Sequence, residues 1–505
     1  MLYVRFLTGA CLLICLAGLR AAYAQPVPDR QAVHVLNRLA FGPTLDDFLR
    51  VKAIGVDRYV AEQLAPESIP EPFELGWRLA AFDTLKYNAV QLRQLYGPLP
   101  SIRGFKLPPE LIKAREERAR AIAREAAQAR LLRAVLSQRQ LQEVMVDFWF
   151  NHFNVFAGKE LDDLWIGDYE RRAIRPFVLG RFRDLLFAAT KHPAMLVYLD
   201  NTLSTSATSP GGRNSKVGLN ENFAREVMEL HTLGADGGYS EEDVVTLARV
   251  LTGWRVNRPD SREFPEIAAV FEGARHDFSP KAFLGHQLRS SGKAEGEEAL
   301  DILAKSPATA RHISFKLAQY FVTDEPPAAL VEQLAGRFQA TGGDIREVLK
   351  VLLTSGAFWE NYGQKYKTPY HFVISATRAA GVPVNNTRPL LAAISQLGMP
   401  LFGCLTPDGY KNTEAAWLSP DATTRRISFA TVLARGALPL ASLPPDPARG
   451  ASDTPLPLRT SPVDAARLEQ ILGSTLSGPT REAIAEAPQA LRAALILGSP
   501  DFMRR

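Results

Sequence analysis

The sequence predicts a mainly α fold, a multi-helix globular array with a small β-hairpin insertion around residues 254–287. Three observations predict it. Apolar residues recur at helical spacing wherever a period is visible, and alternating runs are scarce. The helical pattern lapses between Trp254 and about Gln287, where Ala268-Ala269-Val270-Phe271 and Ala282-Phe283-Leu284-Gly285 read as two short strands. At 505 residues, 46% hydrophobic and 22% charged, the chain has enough apolar material for a large core, and disorder is not the default.

Taken in order, residues 1–24 carry the pattern of a secretory signal. Arg5 supplies positive charge, Phe6 to Leu19 an apolar stretch, and Ala22-Tyr23-Ala24 a small-residue cleavage pattern. The expected location is therefore the periplasm or the exterior, with cleavage after Ala24. Cys11 and Cys15 leave with that segment, so Cys404 stands alone and no intrachain disulfide is expected. No later segment approaches the roughly 18 uninterrupted apolar residues that span a bilayer. A main helical domain is expected over 25–440, and a linker with C-terminal helices packing on it over 441–505.

Gln31 to Leu39 predicts a helix stopped by Gly42, and Leu45 to Leu64 predicts two short helices broken at Gly55. Region 73–98 reads as helical before the proline-rich restart at Leu107-Pro108-Pro109. Pro109 to Leu136 predicts a long helix with charges paired at i, i+4, running into the core segment Phe148-Trp149-Phe150-Asn151-His152-Phe153. The Ser/Thr/Gly-rich stretch from Asp200 to Gly218 predicts an exposed loop, fit to act as a lid. Ser240-Glu241-Glu242-Asp243 opens a further helix, and helices resume through 296–380. The endings Leu349 to Phe358 and Leu491 to Phe502 resemble each other, and Leu438 to Pro462 reads as a surface linker.

Net charge is +5, but acidic and basic residues interleave, as in Arg115-Glu116-Glu117-Arg118, which predicts a solvated surface and no nucleic-acid stripe. Chemistry points instead to Gly218 to Gly234, an amphipathic helix. Leu219, Phe223, Val227 and Leu230 line its apolar face, while Asn222, Arg225, Glu226 and Glu229 share the adjoining one. Glu226 and Glu229 lie one turn apart, so both can face one point, where a divalent cation would offset their repulsion. Arg225 can pair with Glu229, and Asn222 with Glu226. The competing expectation is a buried polar network that merely pins the helix.

No His-Glu-x-x-His, Cys-x-x-Cys, phosphate loop or nucleophile elbow occurs, so any site must be assembled from separate segments. Glu226, Glu229, Arg225 and His192 are the candidate catalytic residues. Glu226, Glu229, His276, His152 and Asp200 are the candidate ligands of a divalent metal. His152 sits among aromatics, which favours a core histidine, and His276-Asp277 lies in turn sequence.

The segments His34 to Gly42, Phe148 to Phe153, His192 to Asn201, Asn220 to Gly234, Leu251-Thr252-Gly253-Trp254 and His276-Asp277 together resemble the bacterial family catalogued as domain of unknown function 1800. The resemblance implies an exported, mainly helical protein, often encoded beside a secreted sulfatase-like protein, and brings no established reaction. It points to Asn220, Glu221, Asn222, Arg225, Glu226, Glu229, His192, Asp200, His152 and His276, and it implies that relatives carry histidine or an aromatic at position 231. Two functions follow as expectations: a metal-assisted hydrolase acting on a small molecule or envelope polymer, or a non-catalytic partner or maturation factor for an exported sulfatase-like protein.

Overall fold

Helices carry most of the described chain, and the strands are short two-stranded pairs. The computed structural model describes residues 27–97, 108–212, 218–257, 269–289, 291–442 and 457–505. The signal-like segment 1–24 lies outside these residues, as do 213–217 of the predicted loop, 258–268 of the predicted insertion and 443–456 of the predicted linker. One hydrophobic core runs from Ala32 to Met503 and includes Leu468, Ile471, Ile496 and Leu497 from the last helices.

The early helices are Asp29–Leu39, Leu45–Ile54 and Val56–Leu64, split at Gly55 as the sequence predicts. Region 73–97 is two helices, Phe73–Ala80 and Ala89–Tyr96, separated by a short 3-10 turn. The long helix spans Pro109–Leu136, the bounds its proline start and periodicity predict. Its first turns are exposed, whereas Ala119, Ile122, Ala126, Ala127, Leu131 and Ala134 enter the core.

That helix delivers a charge into the interior. Arg130, 4% exposed, pairs with Asp147 at 2.7 Å and with Glu170 at 3.5 Å. Arg175 bridges Glu143 at 2.5 Å and Glu170 at 3.0 Å. Glu143 and Asp147 lie one turn apart on the buried helix Gln140–His152, so two arginines from other segments fix its depth and rotation. Its Trp149 indole donates to the Val178 carbonyl at 3.1 Å, which meets the polar need of a fully buried aromatic.

The insertion differs from the predicted single hairpin. Ala269–Phe271 pairs antiparallel with Trp254–Val256, and Ala282–Phe283 pairs with His286–Gln287. Leu284 and Gly285 both take positive φ, 49° and 77°, so this two-residue turn closes the second pair locally and leaves Ala269–Phe271 to find its partner across the insertion. The predicted exposed loop is exposed at Leu203, Ala207, Thr208, Pro210 and Gly211 but is anchored between them. Asn201, Ser204 and Thr205 are fully buried, with Thr205 N–H bonded to the Gly218 carbonyl and Ser206 N–H to that of Arg275. The two similar helix endings share a cap: Ser355 and Ser499 each donate to the carbonyl three residues back and accept from the N–H of a buried phenylalanine three residues on.

Arg130→Met strips Asp147 and Glu170 of a counter-charge in low dielectric and should cost about 3–5 kcal/mol of stability. Urea unfolding measures it, and pairing the change with Asp147→Leu should restore part of the loss.

Candidate functional site

The acidic helix spans Glu221–Glu229, five residues short of the predicted end at Gly234. Asn220 begins it, accepting from Phe223 N–H at 3.0 Å while its amide donates to the Leu199 carbonyl at 2.6 Å. Phe223, Ala224, Val227 and Met228 are buried, as the apolar face requires. At the other end the Thr232 hydroxyl donates to the Val227 carbonyl at 2.7 Å, and Leu230 and His231 N–H both turn back onto the Glu226 carbonyl. The helix therefore ends by tightening its chain back on itself, which tucks His231 inward.

On the polar face, Arg225 does not pair with Glu229. It forms a two-pronged pair with Glu241, at 2.9 and 2.6 Å, at the start of the next helix. Glu229 accepts from the Tyr239 hydroxyl at 3.1 Å. Glu226 is partly buried and has no hydrogen-bond partner among the described residues. Burial, together with the charges of Glu229 and Asp408, pushes its carboxyl above the usual range. Asn222 is exposed and makes no bond to Glu226.

Behind this face three imidazoles gather around one stretch of main chain. His152 lies 3.1 Å from the His231 carbonyl and His312 lies 3.3 Å from that of Leu230. The His152 ring is 6.1 Å from that of His231 and 6.3 Å from that of His312. His152 Nδ1 and His231 Nε2 are buried with no partner among the described residues. Burial first, and then the charge of Lys316, holds all three neutral, His231 near 3 and His312 near 4.

Lys316 follows His312 by one turn of helix Pro307–Phe321, is partly buried, and has no hydrogen bond or ion pair among the described residues. Burial lowers its ammonium to about 8, with Asp408 pulling the other way. Asp408 is placed by the segment that carries His152. Asn151 donates to the Tyr410 carbonyl and accepts from Tyr410 N–H, both at 2.8 Å, and Asn154 donates to the Thr406 carbonyl at 2.8 Å. Between them Gly409 has φ +71°, and a Cβ there would stand 2.2 Å from the Asn151 carbonyl oxygen. An open cleft of about 470 Å³, lined by Gly234, Asp236, Arg311 and Phe315, reaches His312.

The other predicted site residues are elsewhere. His192 caps the helix Pro193–Tyr198, accepting from Ala194 N–H at 3.2 Å, with Asp168 at 3.4 Å on its far nitrogen. His276 lies within the insertion, 3.0 Å from the Thr252 carbonyl and 3.1 Å from Glu295. Asp200 neighbours the residue that receives Asn220, but its carboxylate pairs with Lys159 at 2.9 Å. Among the described residues, no three His, Cys, Asp or Glu side chains converge as a metal would require. Glu226, Glu229, His276, His152 and Asp200 therefore do not form one ligand set, because each of the last three is bound within a separate packing unit.

A lysine whose folded value lies below its unfolded 10.5 releases its proton more readily when folded. Its cost is therefore fully present below pH 8 and is relieved as pH rises towards 10.5. Lys316→Met should stabilise the protein at pH 7 by on the order of 1–3 kcal/mol and flatten the rise in stability above pH 8. Urea midpoints of both proteins at pH 7 and 9.5 check this.

No curated protein and no solved structure matches the chain. No helix among the described residues is long and apolar enough to cross a membrane. The family model for a protein of unknown function, DUF1800, matches residues 34–504. That match takes in the core, the polar centre and the final helices, and the chain belongs to the DUF1800 family.

Proposed function

We propose that this chain is exported, with its signal removed after Ala24, and performs hydrolytic acid–base chemistry at the Glu226–Asp408–Lys316 centre on a polar small molecule or an envelope polymer. The observation that carries this reading is Lys316: an ammonium lowered to about 8, without a bonded partner among the described residues, beside the Asp408 carboxylate and three neutral imidazoles. An amine near that value is partly free at pH 7 and can take a proton, while Glu226, raised by burial and its acidic neighbours, can hold one. Groups pushed towards neutrality from opposite sides, each acted on by Asp408, supply a base and an acid. The reading relies on the protons of these side chains, since the donors weighed for a metal do not converge.

The experiment is a survey of ester, amide, phosphate and glycoside substrates with the folded wild type, Glu226→Gln and Lys316→Met. One class should be hydrolysed, with a loss of about 10²–10⁴-fold in each variant and no loss on adding a chelator. Equal turnover by the variants defeats the reading.

A second reading, as partner of an exported sulfatase-like protein, is favoured by helix Phe73–Ala80. There Phe73 and Trp77, one turn apart, stand 88% and 56% exposed. On that reading Phe73→Ser with Trp77→Ser should abolish co-purification with the sulfatase-like protein, and Lys316→Met should not.

A further inference from the structure

The cleft of about 470 Å³ beside His312 lies between the turn at 233–237, helix Pro307–Phe321 and helix Ala328–Ala340. Gly234 lets the imidazole lie against that turn: its φ is +86°, and a Cβ there would stand 2.9 Å from His312 Nδ1. His312 Nε2 is 3.3 Å from the Leu230 carbonyl, which can only accept, and burial with the charge of Lys316 holds the imidazole near 4. A neutral imidazole that donates from Nε2 keeps its lone pair on Nδ1. That atom has no partner among the described residues and, unlike His152 Nδ1 and His231 Nε2, is not closed off from solvent. His312 therefore offers a fixed acceptor on the Gly234 side of the cleft.

Asp236, two residues past Gly234, is exposed and carries no hydrogen bond or ion pair among the described residues. On the helical side Arg311 pairs with Glu332 at 3.1 Å. The rest of the lining is apolar and includes Pro326, Val331 and Phe315, the last 40% exposed. Formal charges around the cleft cancel, the Asp236 and Glu332 carboxylates standing against Arg311 and, one turn along from His312, Lys316. Neither an anion nor a cation gains a net counter-charge there. The two unpaired side chains, His312 and Asp236, are both acceptors, so the ligand they suit is neutral and donates hydrogen bonds.

We propose that the cleft binds a neutral glycan, with hydroxyls of one sugar ring on His312 Nδ1 and Asp236 and the carbon-bound hydrogens of the ring over Phe315. A sugar ring carries several donors around an apolar face, which matches acceptors beside an exposed aromatic. A peptide alternates each N–H with a carbonyl and needs side-chain donors as often as acceptors, which His312 and Asp236 do not supply.

The test is calorimetric titration of the full chain with two neutral trisaccharides, maltotriose and tri-N-acetylchitotriose, and with the neutral peptide N-acetyl-trialanine amide. Saturable one-site binding of a trisaccharide is expected, weakened about tenfold by Phe315→Ala and by Asp236→Ala through loss of one contact each. Both side chains are exposed, so neither variant removes a core contact. Glu226→Gln should leave the binding unchanged, which separates this outcome from that of the hydrolytic reading. No saturable binding of either trisaccharide, tighter binding of the peptide, undiminished binding in both cleft variants, or an equal loss in Glu226→Gln overturns the assignment.

Discussion

The buried ion pairs of Arg130 and Arg175 are the constraint on which the rest depends. They fix Glu143, Asp147 and Glu170 inside the core, and through Glu143 and Asp147 they set the rotation of helix Gln140–His152. The same helix ends in Asn151 and His152, with Asn154 just beyond, so its register decides where the 404–410 segment is strapped and where Asp408 comes to rest. Charges in such a place specify an arrangement more than they stabilise it, since a well-packed apolar replacement is often no worse. The exposed pair Arg225–Glu241 has better individual geometry and far less consequence, because water screens it.

The polar centre follows the opposite logic. His152 Nδ1 and His231 Nε2 are buried and unmet, Lys316 is partly buried without a bonded partner among the described residues, and Glu226 shares its surroundings with two further carboxylates. A scaffold selected only for stability would fill this volume with apolar side chains. Unmet polarity concentrated where a helix end, a strapped loop and a cleft meet is the pattern of a site whose use offsets its cost.

Periodicity made the helices legible because a 3.6-residue repeat needs only local sequence to express it. Pro109 to Leu136, the break at Gly55 and the buried face of Phe223 and Val227 all follow from it. Pairing across the insertion was not legible in the same way. The lapse of helical periodicity marked Val270 and Phe271 as strand, but the turn at Leu284–Gly285 closes the other pair and leaves this segment to pair with Trp254–Val256. The Ser/Thr-rich stretch after Asn201 read as exposed because polar side chains usually are. The burial of Thr205 and Ser206 within it depends on carbonyls of Gly218 and of the distant Arg275.

For the site, the sequence alone determined that one acidic helix carries Glu226 and Glu229 on a face of its own, because that grouping is set by the rise of a single helix. Lys316, Asp408 and His312 were not found. Their one local signal, a histidine and a lysine at i, i+4 in an apolar helix, is common on any solvated face. Only tertiary structure decided that Arg225 turns outward to Glu241, that His192 caps a helix, and that His152 meets His231 and His312. The physical reason is that desolvation and charge act through space: a side chain's neighbours set its proton affinity, and here those neighbours come from four separate stretches of chain.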